Sequence, residues 1–181
     1  MRSRVFAVVA ATSLLALGGC ARASGAELPD PPVVQPPAAS AGGACILWDY
    51  GFIQQKIGVA FTVAAAGESA DTSTCVVQTE TGQYPDLALA VVESSKADGT
   101  TFLALMPPKA SKIKGLGKAG YRLTTPARGD RGPIVEIGWL SEAAQLQTLK
   151  FTFAKGAAPD QVAAMSGKLL TLAKAMDTTG G

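Results

Sequence analysis

A chain of 181 residues, 48% hydrophobic and 17% charged, can bury one sizeable core beside a tether but is too short for two. Its formal net charge is only +2. It has no histidine, which excludes the imidazole base of the usual serine and cysteine hydrolases and the imidazole ligands of zinc enzymes and many haem proteins.

The chain opens on a basic tip with Arg2 and Arg4, an uncharged apolar segment from Val5 to Leu17, and Gly18 and Gly19 before Cys20. This is the pattern of a secretory signal over residues 1–19. Its apolar part falls short of the roughly 20 residues that a membrane-crossing helix needs. Leu17-Gly18-Gly19-Cys20 resembles a bacterial lipobox, which implies cleavage before Cys20, thioether lipidation of its thiol and acylation of the new amino terminus. Two or three acyl chains, at roughly 0.8 kcal/mol per buried methylene, hold a protein stably on a membrane. The competing reading is ordinary cleavage that leaves Cys20 free or disulfide-bonded, and position, spacing and flanks argue against it. The expected location is the extracytoplasmic face of the cell membrane.

Residues 20–44 then form the lipidated cysteine and a Pro/Ala-rich stretch, ARASGAELPDPPVVQPPAASAGGA after Cys20, without hydrophobic periodicity. It reads as a part polyproline-like, part flexible tether. Cys45 and Cys75 remain, and in an oxidising compartment an even residual count predicts one structural disulfide. Closing a loop of this length is worth roughly 3 to 4 kcal/mol in the chain-entropy model. A reactive or metal-binding pair is the sharper alternative, but no Cys-x-x-Cys spacing and no third ligand support it.

A single domain is expected over residues 45–177, followed by a disordered tail, 178–181. Ile46, Tyr50, Ile53 and Ile57 recur at helical spacing before Gly58, so residues 45–57 predict an amphipathic helix. GESADTST, residues 67–74, reads as loop, and a strand opens at Cys75. After the turn-like TGQYPD, Leu87, Leu89 and Val91 alternate as in a buried strand. TTFLALM, residues 100–106, is too short to divide by period between helix and strand. Val135, Ile137 and Trp139, then Leu149, Phe151 and Phe153, predict two antiparallel strands around the turn SEAAQ. Pro159 and Asp160 suit a helix start, and Val162, Met165, Leu169, Leu172 and Met176 run down one stripe. The order predicts an α+β fold, a mostly antiparallel sheet of four to six strands with N- and C-terminal helices on one face.

The lipobox, the proline-rich tether, CILWDYGFIQQKIG, CVVQTE and the IKGLGKAGY turn before paired strands and a C-terminal helix together resemble small actinobacterial two-cysteine envelope lipoproteins of unknown function. The resemblance spans nearly the whole chain. It implies a disulfide-stapled α+β domain on the outer membrane surface and no known catalytic residues.

Several short matches read as local structure. Gly115-Leu116-Gly117-Lys118-Ala119-Gly120 fits G-x-G-x-x-G, but no long helix follows to receive a pyrophosphate. Ser111 and Lys114 fit Ser-x-x-Lys without the companion motifs. Arg128-Gly129-Asp130 reads as a solvated turn, and nothing brings carboxylates such as Asp71 and Glu80 together. Acids dominate before Gly99 and bases after it. Lys109, Lys112, Lys114, Lys118, Arg122, Arg128 and Arg131 crowd one stretch, a candidate face for anionic lipid headgroups or wall polymers. Nucleic acid is not an expected partner, because the compartment is wrong and aromatics are not interleaved with the bases. No metal and no cofactor is expected.

Three functions fit. The first is a non-enzymatic binding or accessory module of the envelope, engaging a protein or an anionic wall or lipid component. The second is a carrier with an internal cavity for a lipid or small apolar ligand. The least favoured is an enzyme using Ser/Lys or carboxylates.

Overall fold

The computed structural model describes residues 36–93 and 96–179. The expected signal, Cys20, the tether up to residue 35 and the last two residues lie outside the described residues.

Packed structure starts before Cys45. Two short 3₁₀ helices, Ala38–Ala41 and Gly43–Leu47, occupy the end of the expected tether, with Ala38 and Ala44 buried. The expected continuous helix over residues 45–57 is thus divided. Trp48 and Asp49 are extended, and α1 runs only from Tyr50 to Ile57. Asp49 explains the break, because its Oδ1 accepts from the Phe52 amide at 2.8 Å and caps a new helix there. Ile53 and Ile57 face inward as the periodicity required, whereas Ile46 belongs to the 3₁₀ segment and points to solvent.

The strands are β1 (Val63–Ser69), β2 (Thr72–Thr79), β3 (Gly82–Glu93), β4 (Ser111–Ile113), β5 (Ala119–Thr125), β6 (Arg131–Leu140) and β7 (Gln145–Ala154). They form one antiparallel sheet in the order β1-β2-β3-β7-β6-β5-β4. The α+β class holds, with seven strands in place of four to six. The extra strands include both sheet edges, β1 and β4, whose small and polar side chains show no apolar alternation. GESADTST, expected as loop, is the β1–β2 hairpin, turning at Ala70 with φ 50°. Residues 100–106 resolve toward helix: α2 covers Gly99–Ala104, capped by Asp98, whose Oδ1 accepts from the Thr100 and Thr101 amides.

One face of the sheet carries the core. Val77, Leu87, Leu89, Val135, Ile137, Trp139, Leu149 and Phe151 are all buried, at about 1.5–3 kcal/mol for each fully buried aliphatic side chain. Against them lies α3 (Pro159–Thr179), which packs on β6 and against α1 with Val162, Met165, Leu169, Leu172 and Met176 inward. The opposite face is largely open. There α2 lies against β5, with Phe102 stacked on Tyr121 at 5.7 Å between ring centroids.

A candidate binding crevice at the disulfide

The disulfide between Cys45 and Cys75 fixes the second 3₁₀ helix over β2, with 4.9 Å between their Cα atoms. Both cysteines are fully buried. Gly43 permits the close approach: at φ 50°, a Cβ there would come within 3.1 Å of Ser73 Oγ and 3.2 Å of Ala66 Cβ. With Ala44 and Cys45 turned inward, Ile46 and Leu47 turn outward, 67% and 47% exposed.

Beneath this helix, four strands contribute one row to the core face. Ser73 of β2 is in register with Val91 of β3, Val91 with Gln147 of β7, and Gln147 with Trp139 of β6. The row ends the core face, and the last turns of α3 bring Met176 over it. The result is a crevice of about 300 Å³ lined by Gly43, Ala44, Ile46, Leu47, Ser73, Val91, Gln145, Gln147 and Met176. No charged side chain lines it.

Its polar groups are few and neutral. Gln147 Nε2 donates to Gln145 Oε1 at 3.1 Å. Ser73 Oγ is buried without a hydrogen-bond partner, and so is Trp139 Nε1 at the end of the same row. A buried hydroxyl without a partner costs free energy, so a ligand group that bonds it would gain more than at an exposed position. An apolar recess with a few convergent hydrogen-bonding groups is the usual form of a small binding site. Among the described residues the lining offers one hydroxyl, Ser73, and two carboxamides, Gln145 and Gln147, as its polar side chains.

The perturbed ionisable groups lie elsewhere. On the open face Tyr121 Oη donates to Glu136 Oε1 at 2.8 Å, and Lys150 Nζ is 3.7 Å from Glu136 Oε2. Burial first, then the Glu136 hydrogen bond and charge, push the Tyr121 phenol well above its ordinary range. Burial also raises the Asp86 carboxyl, while Thr152, Lys150 and Arg131 oppose that shift. Asp98 is held low by the α2 amides that it caps. Glu136 with Lys150 and Tyr121 makes a surface polar cluster on the sheet, and Asp98 lies apart from it, at the start of α2.

The residues singled out in the sequence are distributed as follows. Lys112 and Tyr121 are cross-strand partners, which puts Lys112 on the open face, and it lines a shallow groove beside α2 with Lys118. Arg122 alternates to the other face. Arg128 sits in the β5–β6 turn and Arg131 opens β6, both separated from Lys118 by the length of β5, roughly 20 Å. Lys109 and Lys114 flank β4. The basic stretch is therefore spread over two faces and two ends of the sheet. Ser111 lies in β4, so Lys114 is not one helical turn away. Gly115–Gly120 turns directly into β5, and Asp71 and Glu80 lie just beyond opposite ends of β2, about 30 Å apart by strand length. Among the described residues no group of three His, Cys, Asp or Glu side chains could hold a metal, and no helix is long and apolar enough to cross a membrane.

Sequence reasoning missed Ser73, Gln145 and Gln147, which carry no motif. The signal for Ile46 was present but assigned to the wrong helix face. The chain matches no protein-family model, no curated protein and no solved structure.

Proposed function

We propose that this chain is a membrane-anchored extracytoplasmic lipoprotein that acts as a non-enzymatic binding or accessory module of the cell envelope, and that the crevice at the disulfide seats an apolar side chain of a partner protein. The observation that carries the reading is the pairing of a 300 Å³ uncharged recess with two exposed aliphatic side chains, Ile46 and Leu47, on its rim. Binding hot spots have this form, an apolar anchor in a desolvated pocket ringed by contacts that exclude water. The buried Cys45–Cys75 disulfide suits an oxidising compartment, as the Leu17 to Cys20 lipobox requires.

The carrier reading draws on the same recess, whose volume is at the low end for small-molecule sites. An enzymatic reading has weaker support, because Ser111 with Lys114 and Asp71 with Glu80 lack the geometry that their chemistry needs. The basic stretch would contribute long-range attraction to an anionic envelope surface more than a defined site.

Two measurements test the proposal. A radiolabelled fatty acid fed to cells exporting the chain should appear on the wild type and be absent from Cys20→Ala; an unlabelled wild type removes the anchor. A photo-crosslinking side chain at Leu47 should give a discrete protein adduct in the envelope that disappears with Ile46→Ser. A smear of adducts unchanged by Ile46→Ser removes the crevice as the recognition site.

A further inference from the structure

A second recess lies at the other end of the same helical layer, where the C-terminus of α1, the first turns of α3 and the end of β7 converge. It measures about 530 Å³. Phe151 and Phe153 form its floor, edge to face with centroids 4.7 Å apart, and Ile57, Val59, Pro85 and Met165 supply apolar walls. Its charged lining is Lys155 and Lys168. No carboxylate lines it, and neither lysine is paired to one among the described residues.

The lysines are placed differently. Lys168 Nζ donates to the Ile57 carbonyl at 3.0 Å, which completes the end of α1 and fixes the ammonium at the rim. Two of its three donors remain for another group. Lys155 follows directly on β7, across the recess from α3. An apolar trough flanked by a cation on each side, with no balancing acid in its lining, is complementary to a molecule with an apolar chain and an anionic end.

We propose that this groove binds a single-chain fatty acid, its hydrocarbon laid over Phe153 and Met165 and its carboxylate held by Lys155 and Lys168. The volume lies within the range of small-ligand sites and accommodates one chain. A two-chain lipid taken from a bilayer would leave its second chain in water, at a loss of about 0.8 kcal/mol per exposed methylene. This goes beyond the partner reading and is separate from it, since the crevice at the disulfide shares none of these residues.

The test uses the chain from residue 34 onward, which contains the whole described core. Oleate, oleyl alcohol and oleoyl lysophosphatidylcholine are titrated by native mass spectrometry and calorimetry. Oleate should bind one to one, and oleyl alcohol about tenfold more weakly, the worth of one charge-assisted contact. Lys155→Gln, alone and with Lys168→Gln, should weaken oleate and leave the alcohol unchanged. Ala164→Trp, at an exposed position lining the groove, should abolish both. Circular dichroism of each variant reports that the fold is kept, and Lys155→Gln alone disturbs no described hydrogen bond. The proposal is overturned if oleate fails to bind the wild type, if it binds the glutamine variants equally well, or if the lysophospholipid binds in its place. None of these outcomes bears on the Leu47 crosslink, so the two sites are judged separately.

Discussion

Tyr121 of β5 lays its ring across Gly138, its register partner on β6, so closely that a Cβ on Gly138 would meet the ring and its hydroxyl. The same hydroxyl donates to Glu136, two residues along β6, which Lys150 of β7 also approaches. Phe102 of α2 stacks on the far side of the ring. The glycine is therefore part of the tyrosine's site. It lets one aromatic side chain tie α2 and two strands together on a face that carries no other helix among the described residues.

Gly138→Ala should accordingly cost about 1–3 kcal/mol, the range for overpacking a filled site. Tyr121→Phe keeps the ring and removes only the hydrogen bond to Glu136, so it should cost about 1 kcal/mol. Urea unfolding of the two variants gives the order. If Tyr121→Phe proves the costlier, the hydrogen bond and not the packing holds this face.

Tyr121 also gives the fold an alkaline limit. Its folded pKa is raised by burial, the Glu136 hydrogen bond and the Glu136 charge, in that order. A raised pKa means that the native state keeps a proton that the unfolded chain releases, so stability is full below the unfolded value of about 10 and falls as pH rises beyond it. Chemical unfolding followed across that interval should show the decline in the wild type and a shallower one in Tyr121→Phe. Tyr50, raised by burial alone, leaves a residual slope in the variant.

Asp86 gives the mirror experiment in acid. Burial raises its carboxyl above the ordinary range against the pull of Thr152, Lys150 and Arg131. The native state again holds the extra proton, so its contribution is full below the unfolded pKa of about 3.9 and is lost as pH rises through the folded value. Asp86→Asn should then gain on the wild type at neutral pH and lose that advantage in strong acid. Parallel stability curves for the two proteins would show that Asp86 is solvated as well in the fold as outside it.

How much of this was legible in the sequence depended on which force places each residue. The α3 stripe and the alternation of Leu87, Leu89 and Val91 were readable because burial selects apolar side chains at the element's own period. β1 was not, since Val63–Ser69 is an edge strand held by backbone hydrogen bonds, which leave no apolar pattern. The division of residues 45–57 depends on Asp49 as a cap within an apolar run, and there a local hydrogen bond overrides the period. The crevice was invisible for another reason: Ser73, Val91 and Gln147 meet only through strand register, which connects residues far apart in the chain.

The glycine loop before β5 offers a sharper test of a sequence motif with a structural role. Gly117 sits at φ 50°, and a Cβ there would strike the Leu140 carbonyl, which already accepts from the Lys118 amide at 2.9 Å. Its own amide donates to Asp177 Oδ2 at 3.0 Å, joining the loop to the last turns of α3. Gly117→Ala combines a positive-φ penalty with that collision, and should cost about 3 kcal/mol or more. Asp177→Asn retains an acceptor and should cost less than Asp177→Ala, which strands a part-buried amide at about 1–3 kcal/mol. Equal losses for the two Asp177 variants would assign the effect to charge near the helix end instead of to the hydrogen bond.

The disulfide links fold stability to the crevice. Replacing Cys45 and Cys75 together by serine removes a loop constraint across a separation of 30 residues. The chain-entropy cost is roughly 3–4 kcal/mol, within the range found on removing a native disulfide from a small domain. Most of the sheet, however, is held by its own register and by α3, so the loosening should concentrate in the second 3₁₀ helix. Hydrogen exchange under native conditions reads this directly. The Cys45 and Trp48 amides, which donate to Gly42 and Cys45 at 3.0 Å, should lose protection in the variant, while those of β6 and β7 keep theirs. Global loosening at equal rates would mean that the bridge supports the whole core. A loss confined to residues 43–48 would mean that its local task is to hold Ile46 and Leu47 at the mouth of the recess, and a variant that still folds should then lose the Leu47 crosslink.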